Sequence, residues 1–296
     1  MQKSRFDVTI GIDMETDIGS FTANYTGVQF GTPRLLAVLK EQGVPATFFW
    51  TGHAAEHYPE MVRKVRAAGH ETGCHSLFHE TLGDPLFPLP NNWPVLPSEV
   101  EGRIVAATAI VRKISGVKPV SFRCPRLWGS TAVVNILEKL GYLTDTSLPL
   151  FFYRKPIIPY HPSSRDWTKP GKLRLLEIPN FCDLTMKSTD PYGRDRDQWP
   201  VFRTRSADAL MEKVDAFLRF VEQRKHRPVL CFYFHPWEFH EMPQGTIDFG
   251  EASVKPLAFI VKNCGRKALR EFALLCAALK DRGGCFFTAR ELAGNY

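Results

Sequence analysis

Residues 228–235, Pro-Val-Leu-Cys-Phe-Tyr-Phe-His, form an unbroken apolar run that stops abruptly at His235-Pro236-Trp237-Glu238. A run of this kind, with no polar face, suits a strand covered on both sides, as in a parallel sheet flanked by helices. The same pattern recurs along the chain. Residues 6–13, 45–50, 69–74, 120–125, 142–145 and 285–288 read as strands, and helical stretches are expected at 34–42, 59–68, 98–115, 131–140, 206–225 and 266–281. A strand, helix, strand unit repeated each 25 to 50 residues predicts parallel β/α construction. The 296 residues suffice for one large domain of that class.

Ionisable residues collect where these strands finish: Asp13 and Glu15, His75 and His79, then Arg123, Asp145 and His235. Charged groups at the ends of apolar strands cost stability unless they are paired or face a cleft. Several strands ending this way therefore predict one shared site, on the face where β/α barrels carry their chemistry. Asp13 and Glu15, two apart in an extended segment, are expected to face one pocket with Met14 turned away. His75 and His79, four apart, are expected on one side of a helical turn, with about 5–6 Å between Cβ atoms, so that both imidazoles reach one ion.

Punctuation marks the element ends. Thr32-Pro33 has the form of an N-cap followed by proline at N1. Ser98 with Glu101 predicts a capping box. Residues 81–97 hold five prolines with Phe87 and Trp93 among them, and are expected to pack as a rim or lid. Residues 149–197 lack periodicity except at 173–179; they read as an insertion, with Trp167, Tyr192 and Trp199 available to stack on sugar rings.

Composition excludes other classes. With 44% apolar and 23% charged residues the chain is neither disordered nor fibrous. No run of 18 apolar residues is present, so no membrane-spanning helix is expected. Residues 1–8 lead into a strand without a leader-like apolar segment, making the cytoplasm the expected address. Seven scattered cysteines, none in a C-x-x-C, read as reduced core residues, Cys74 included. The net charge of +7 favours an anionic partner, but Lys and Arg are dispersed, which argues against nucleic acid. His53, His57, His70, His161, His226 and His240 read as surface or packing residues.

The ordered motifs resemble the polysaccharide deacetylase family, the group sharing the NodB homology domain and akin to carbohydrate esterase family 4, in its intracellular form. The likeness spans roughly residues 8–288. Ile12-Asp13-Met14-Glu15 resembles the first motif, His75-Ser76-Leu77-Phe78-His79 the second, and Phe122-Arg123-Cys124-Pro125 the third. Asp145 sits where the fourth carries an Asp, and Phe234-His235-Pro236 resembles the fifth. The resemblance implies a distorted (β/α)7-type barrel with long loop insertions, a single catalytic domain over 1–296, and an insertion at 150–200. It also implies Asp13 as general base, Glu15, His75 and His79 as metal ligands, Arg123 orienting Asp13, Asp145 holding its region, and His235 as general acid. Two departures stand out: Met14 separates the acidic pair, and Arg126 replaces an aromatic whose backbone N–H serves the oxyanion.

The chemistry agrees. Amide hydrolysis needs activated water, a Lewis acid on the carbonyl, and a proton for the departing amine; two histidines and a carboxylate can hold a divalent ion with positions open. Zinc is expected, and the same set suits iron, cobalt or nickel. The expected substrate is an N-acetyl or N-formyl amino sugar or conjugate, small molecule or glycan, and a homo-oligomer is an open option. Two other readings stand beside this: a metal-free hydrolase of cyclic amides such as allantoin, and a carbohydrate-binding protein without catalysis.

Overall fold

Strand β1 (Phe6–Met14) is buried along its whole length and is the hub of the sheet. Its side chains alternate: Val8, Ile10, Ile12 and Met14 pack outward into the main apolar core, and Asp7, Thr9, Gly11 and Asp13 take the opposite face. In this computed structural model, which describes residues 5–19, 21–90 and 92–296, β1 pairs in parallel with β2 (Thr47–Trp50) and, along residues 7–12, with β7 (Val229–Phe234). The expected lead-in at residues 1–4 lies outside the described residues.

From β2 the sheet continues through β3 (Glu71–Cys74), β4 (Ser121–Phe122), β5 (Thr144–Asp145) and β6 (Leu176–Glu177), each pair parallel. A single bridge between Asn180, just past β6, and Cys231 of β7 links the two ends of the curled sheet. The expected distorted (β/α)7-type barrel is therefore present, seven parallel strands curled around an interior. A short antiparallel hairpin, β8 (Ile247–Asp248) with β9 (Ser253–Val254), was not foreseen. An eighth strand of the sheet, β10 (Gly284–Phe287), runs beside the N-terminal half of β1.

Strands β4 to β6 are shorter than the expected 120–125, 142–145 and 173–179. Prolines 119 and 125 bracket or end the first of these stretches and Pro179 ends the last, and a proline cannot donate to a ladder.

Helices α1 (Thr32–Gln42), α2 (Gly52–His57), α3 (Pro59–Ala67), α4 (Val100–Ser115) and α5 (Thr131–Lys139) come from the first half of the chain. The short α6 (Leu150–Tyr153) and α7 (Val201–Thr204), then α8 (Ala207–Glu222), α9 (Ala258–Val261), α10 (Arg266–Asp281) and α11 (Ala289–Ala293), follow. Two expected caps are absent. A wide turn at Gly27–Gly31 runs directly into α1, so Thr32 lies inside helical geometry and caps nothing. Pro97 starts a tight turn at Pro97–Glu99 that leads into α4, so Ser98 is already wound and makes no capping bond. Helix α11 does begin with a capping box, Thr288 with Glu291. Its Ala289 N–H donates to Thr47 Oγ1 and its Arg290 N–H to Glu71 Oε2, closing the barrel end opposite the strand tips. None of the described helices is long and apolar enough to cross a membrane.

Candidate metal centre and active site

The strand tips converge as the alternation requires. Asp13 is the last inward-facing residue of β1, and Glu15 follows at its tip; both line a cavity of about 370 Å³ together with His79 and His235. His75 leaves β3 one residue later, and its N–H donates to Trp50 O. The His75–His79 segment is not the expected helical turn. It is a loop in which Ser76 (φ 70°) and His79 (φ 64°) take left-handed backbone. Glu80 folds back to accept from the N–H groups of Leu77 and Phe78 and from Ser76 Oγ, and α2 donates its Gly52 and His53 N–H groups to Ser76 O and Leu77 O. This bracing holds the two imidazole rings 5.1 Å apart without a helix.

Glu15, His75 and His79 are buried, with one ligand-type atom from each lying within 4.8 Å of the others. Glu15 Oε2 is 2.5 Å from His79 Nε2 and 3.4 Å from His75 Nε2. Yet neither Glu15 oxygen nor His75 Nε2 makes a hydrogen bond of acceptable geometry. Buried polar atoms rarely lack partners. Lone pairs aimed at one another in this way are the arrangement a cation would satisfy, so the donor set fits a divalent metal. The tautomer agrees: His75 Nδ1 donates to Arg123 O at 2.7 Å, leaving Nε2 with its lone pair toward the cluster. Burial opposes a charge on Glu15, but the imidazoles of His79 and His235 outweigh it and hold the carboxyl well below its usual range. Burial pushes His79 down to about 4, against the pull of Glu15, so the ring is neutral and ligand-ready at neutral pH.

Arg123 lies inside the barrel, fully buried. Its Nη1 donates to Asp13 Oδ1 at 2.8 Å, Nη2 to Phe232 O, and Nε to Thr146 Oγ1, while the guanidinium stands 4.4 Å over the Phe49 ring. Glycine at position 11 is explained by this side chain, because a Cβ there would fall 2.2 Å from Arg123 Nη1. Asp145 does not line the cavity. It is buried behind Arg123, bonded to Ser147 Oγ, and beside Glu177, whose Oε1 accepts from the N–H groups of Ser147 and Leu148. Burial raises Asp145 to about 6, and burial with the Asp145 charge raises Glu177 well above its usual range, so the buried pair at the barrel wall resists full ionisation.

His235 enters from β7. Its Nε2 is 3.9 Å from Glu15 Oε1, its ring stacks on Trp237 and meets the Trp199 edge, and its Nδ1 donates to Glu238 Oε1 at 3.0 Å. Sequence reasoning left Glu238 unassigned and missed Arg203. Arg203 Nε donates to Glu238 Oε2 at 2.5 Å, and its two Nη atoms donate to the carbonyls of Phe259, Ile260 and Lys262. Burial works against a charged His235, but Glu15 and Glu238 overcome it and raise its pKa. The close turn at Pro236–Phe239 is admitted by Gly31, where a Cβ would lie 2.0 Å from Pro236 O.

The long loops build the cavity wall. Phe87 and Leu89 come from the proline-rich loop, and Phe151, Arg194, Asp197 and Trp199 from the insertion. Trp167 packs down, buried against Gly129 and Tyr153, and Tyr192 lies against Phe87.

Residues 17–144 match the family model described as Polysaccharide deacetylase, a span holding His75, His79 and Arg123 but not Asp13, Glu15, Asp145 or His235. A peptidoglycan deacetylase of Helicobacter pylori is 28% identical over 165 residues, 51% of this chain and 53% of that one. A chitooligosaccharide deacetylase of Sinorhizobium fredii is 45% identical over 161 residues, 54% of this chain and 61% of that one. The chain spans about half the length of the first of the curated relatives it matches. A solved allantoinase has the same fold, with a TM-score of 0.63 at 16% identity over 99% of this chain and 90% of that one.

Proposed function

We propose that this chain, which matches the polysaccharide deacetylase family model over residues 17–144, is a metal-dependent hydrolase that removes an acetyl or formyl group from the nitrogen of an amino sugar or sugar conjugate. The observation that carries this reading is the convergence of Glu15, His75 and His79 on one point, with Asp13 and Arg123 on β1 and β4 and His235 on β7 around the same cavity. A divalent cation held by Glu15, His75 and His79, zinc first among the choices, would polarise the acyl carbonyl and acidify water toward a pKa of about 7.

The remaining work falls to this chain's own groups. Asp13, oriented by Arg123 Nη1, takes a proton from the attacking water. His235, whose pKa Glu15 and Glu238 raise against the effect of burial, gives its Nε2 proton to the departing nitrogen. Glu238 fixes which ring nitrogen faces the cavity, and Arg203 fixes Glu238. The proposed setting is the cytoplasm, on the ground that five of the seven thiols are buried singly in the core.

The test is acyl release from a panel of N-acetyl and N-formyl amino sugars, their oligomers and sugar conjugates, with allantoin alongside, for the zinc-loaded protein, the chelated protein and Asp13→Asn. Release that needs the metal and falls at least about a hundredfold in Asp13→Asn is expected. Hydrolysis of allantoin alone, undiminished by chelation, would overturn the reading.

A further inference from the structure

Beside the ligand cluster, one wall of the cavity carries Arg126, Phe87 and Arg194, backed by the buried Trp128, none of which the deacylation steps use. The Arg126 guanidinium is 5.8 Å from the centre of the Trp128 ring. Trp128 meets Phe87 edge-on with centroids 5.1 Å apart, and the Arg194 guanidinium lies 4.5 Å over Phe87. Three segments distant in sequence, the loop after β4, the proline-rich loop and the insertion, thus place two arginines on one continuous wall. Lys255, beyond the hairpin, adds a third cation to the same cavity.

The acidic residues facing this cavity are engaged elsewhere. Asp13 pairs with Arg123, Glu15 contacts the imidazoles, and Asp197 accepts from Tyr233 Oη. Among the described residues, no carboxylate forms an ion pair with the Arg194 side chain; its backbone is anchored, the N–H donating to Asp190 Oδ1 and the carbonyl accepting from Asp197 N–H. Arg126 Nη1 donates to His79 O and to Thr81 Oγ1, so its guanidinium is anchored and contributes its charge to the wall; at Arg194, stacking on an aromatic ring fixes the plane of the guanidinium and leaves an N–H edge for an acceptor. That edge matches the paired oxygens of a carboxylate or phosphate. A neutral oligosaccharide offers these cations no counter-charge.

We propose that Arg194, with Arg126 on the same wall, forms a subsite for an anionic oxygen group, carboxylate or phosphate, on a compact N-acylated substrate whose amide sits at the Glu15, His75 and His79 cluster. This rests on the deacylase reading and narrows it to substrates bearing such a group. A cavity of about 370 Å³ is of the size that encloses a small ligand.

Calorimetric titration of the zinc-loaded protein with glucosamine 6-phosphate, muramic acid and glucosamine tests this without turnover, because all three are already deacylated. The phosphate or the carboxylate compound, whichever chemistry the subsite prefers, binds at least roughly tenfold tighter than glucosamine, as a charge-assisted pair requires. In Arg194→Gln that preference collapses toward one while glucosamine binding is unchanged. Equal or absent binding of all three, or a preference that survives Arg194→Gln, overturns the subsite. The deacylase reading is judged separately, by acyl release. Hydrolysis of acylated sugars without an anion preference faults the subsite alone, and anion preference without any hydrolysis faults the reading beneath it.

Discussion

The ring of His235 has its protonation set by neighbours that differ greatly in how visible they are in sequence. Glu238 stands three residues beyond it, close enough to be noticed in His235-Pro236-Trp237-Glu238 though not to be assigned. Arg203 lies in a stretch without a motif, and only the packing of α7 against the turn at Pro236–Phe239 brings its guanidinium to Glu238. The consequence can be measured. Because Glu238 favours the charged ring, its removal lowers the pKa of His235. An acid that must be protonated is lost as pH rises through its pKa, so Glu238→Gln is expected to move the alkaline limb of the kcat/KM profile to lower pH. A limb that stays in place would mean that Glu238 does not set the acid. Arg126 and Arg194 illustrate what a sequence hides at this scale: each is one arginine among many until Trp128 and Phe87 align them.

Elements were legible where periodicity and apolar runs are long. Helix α10 falls at the expected 266–281, and β7 and α8 differ from expectation by a few end residues. Short or strained pieces were not, because local sequence does not determine them. His75 and His79 have the spacing of a helical turn, yet Glu80 and the start of α2 hold them in a loop with two left-handed residues. The pairing of β5 with β6 sets up a separate test. Asp145 and Glu177 both have folded-state pKa values above the ordinary carboxylate range, through burial first. Their contribution to stability is thus complete below about pH 4 and is lost as pH rises through about 6 and beyond. In Glu177→Gln the amide oxygen still accepts from Ser147 and Leu148 N–H, and the amide nitrogen can donate to Asp145. That variant should lose less stability than the natural protein between pH 5 and pH 8 in urea unfolding. An equal or larger loss would show that ionising this pair does not weaken the fold.

At the scale of the whole molecule, the barrel was readable because several strands end in ionisable residues that a common site would justify, and because the strand, helix alternation admits few topologies. The walls were readable only in outline, as a rim at residues 81–97 and an insertion at 149–197, and not in which side chains they present. Residues 81–97 and 149–197 carry no period, and their contribution of Phe87, Leu89, Phe151 and Arg194 to the cavity depends on contacts between distant segments. The account's central claim is that strand tips from opposite parts of the sheet assemble one cation site. Metal analysis after chelation, zinc reloading and removal of excess ion tests it most directly, with thermal unfolding in parallel. The natural protein is predicted to retain one equivalent of zinc and to melt higher when loaded, since a ligand bound only to the folded state stabilises it. His79→Ala, folded by circular dichroism, is predicted to retain little zinc and to show no such shift. Equal zinc content and an equal shift in the two proteins would contradict the claim.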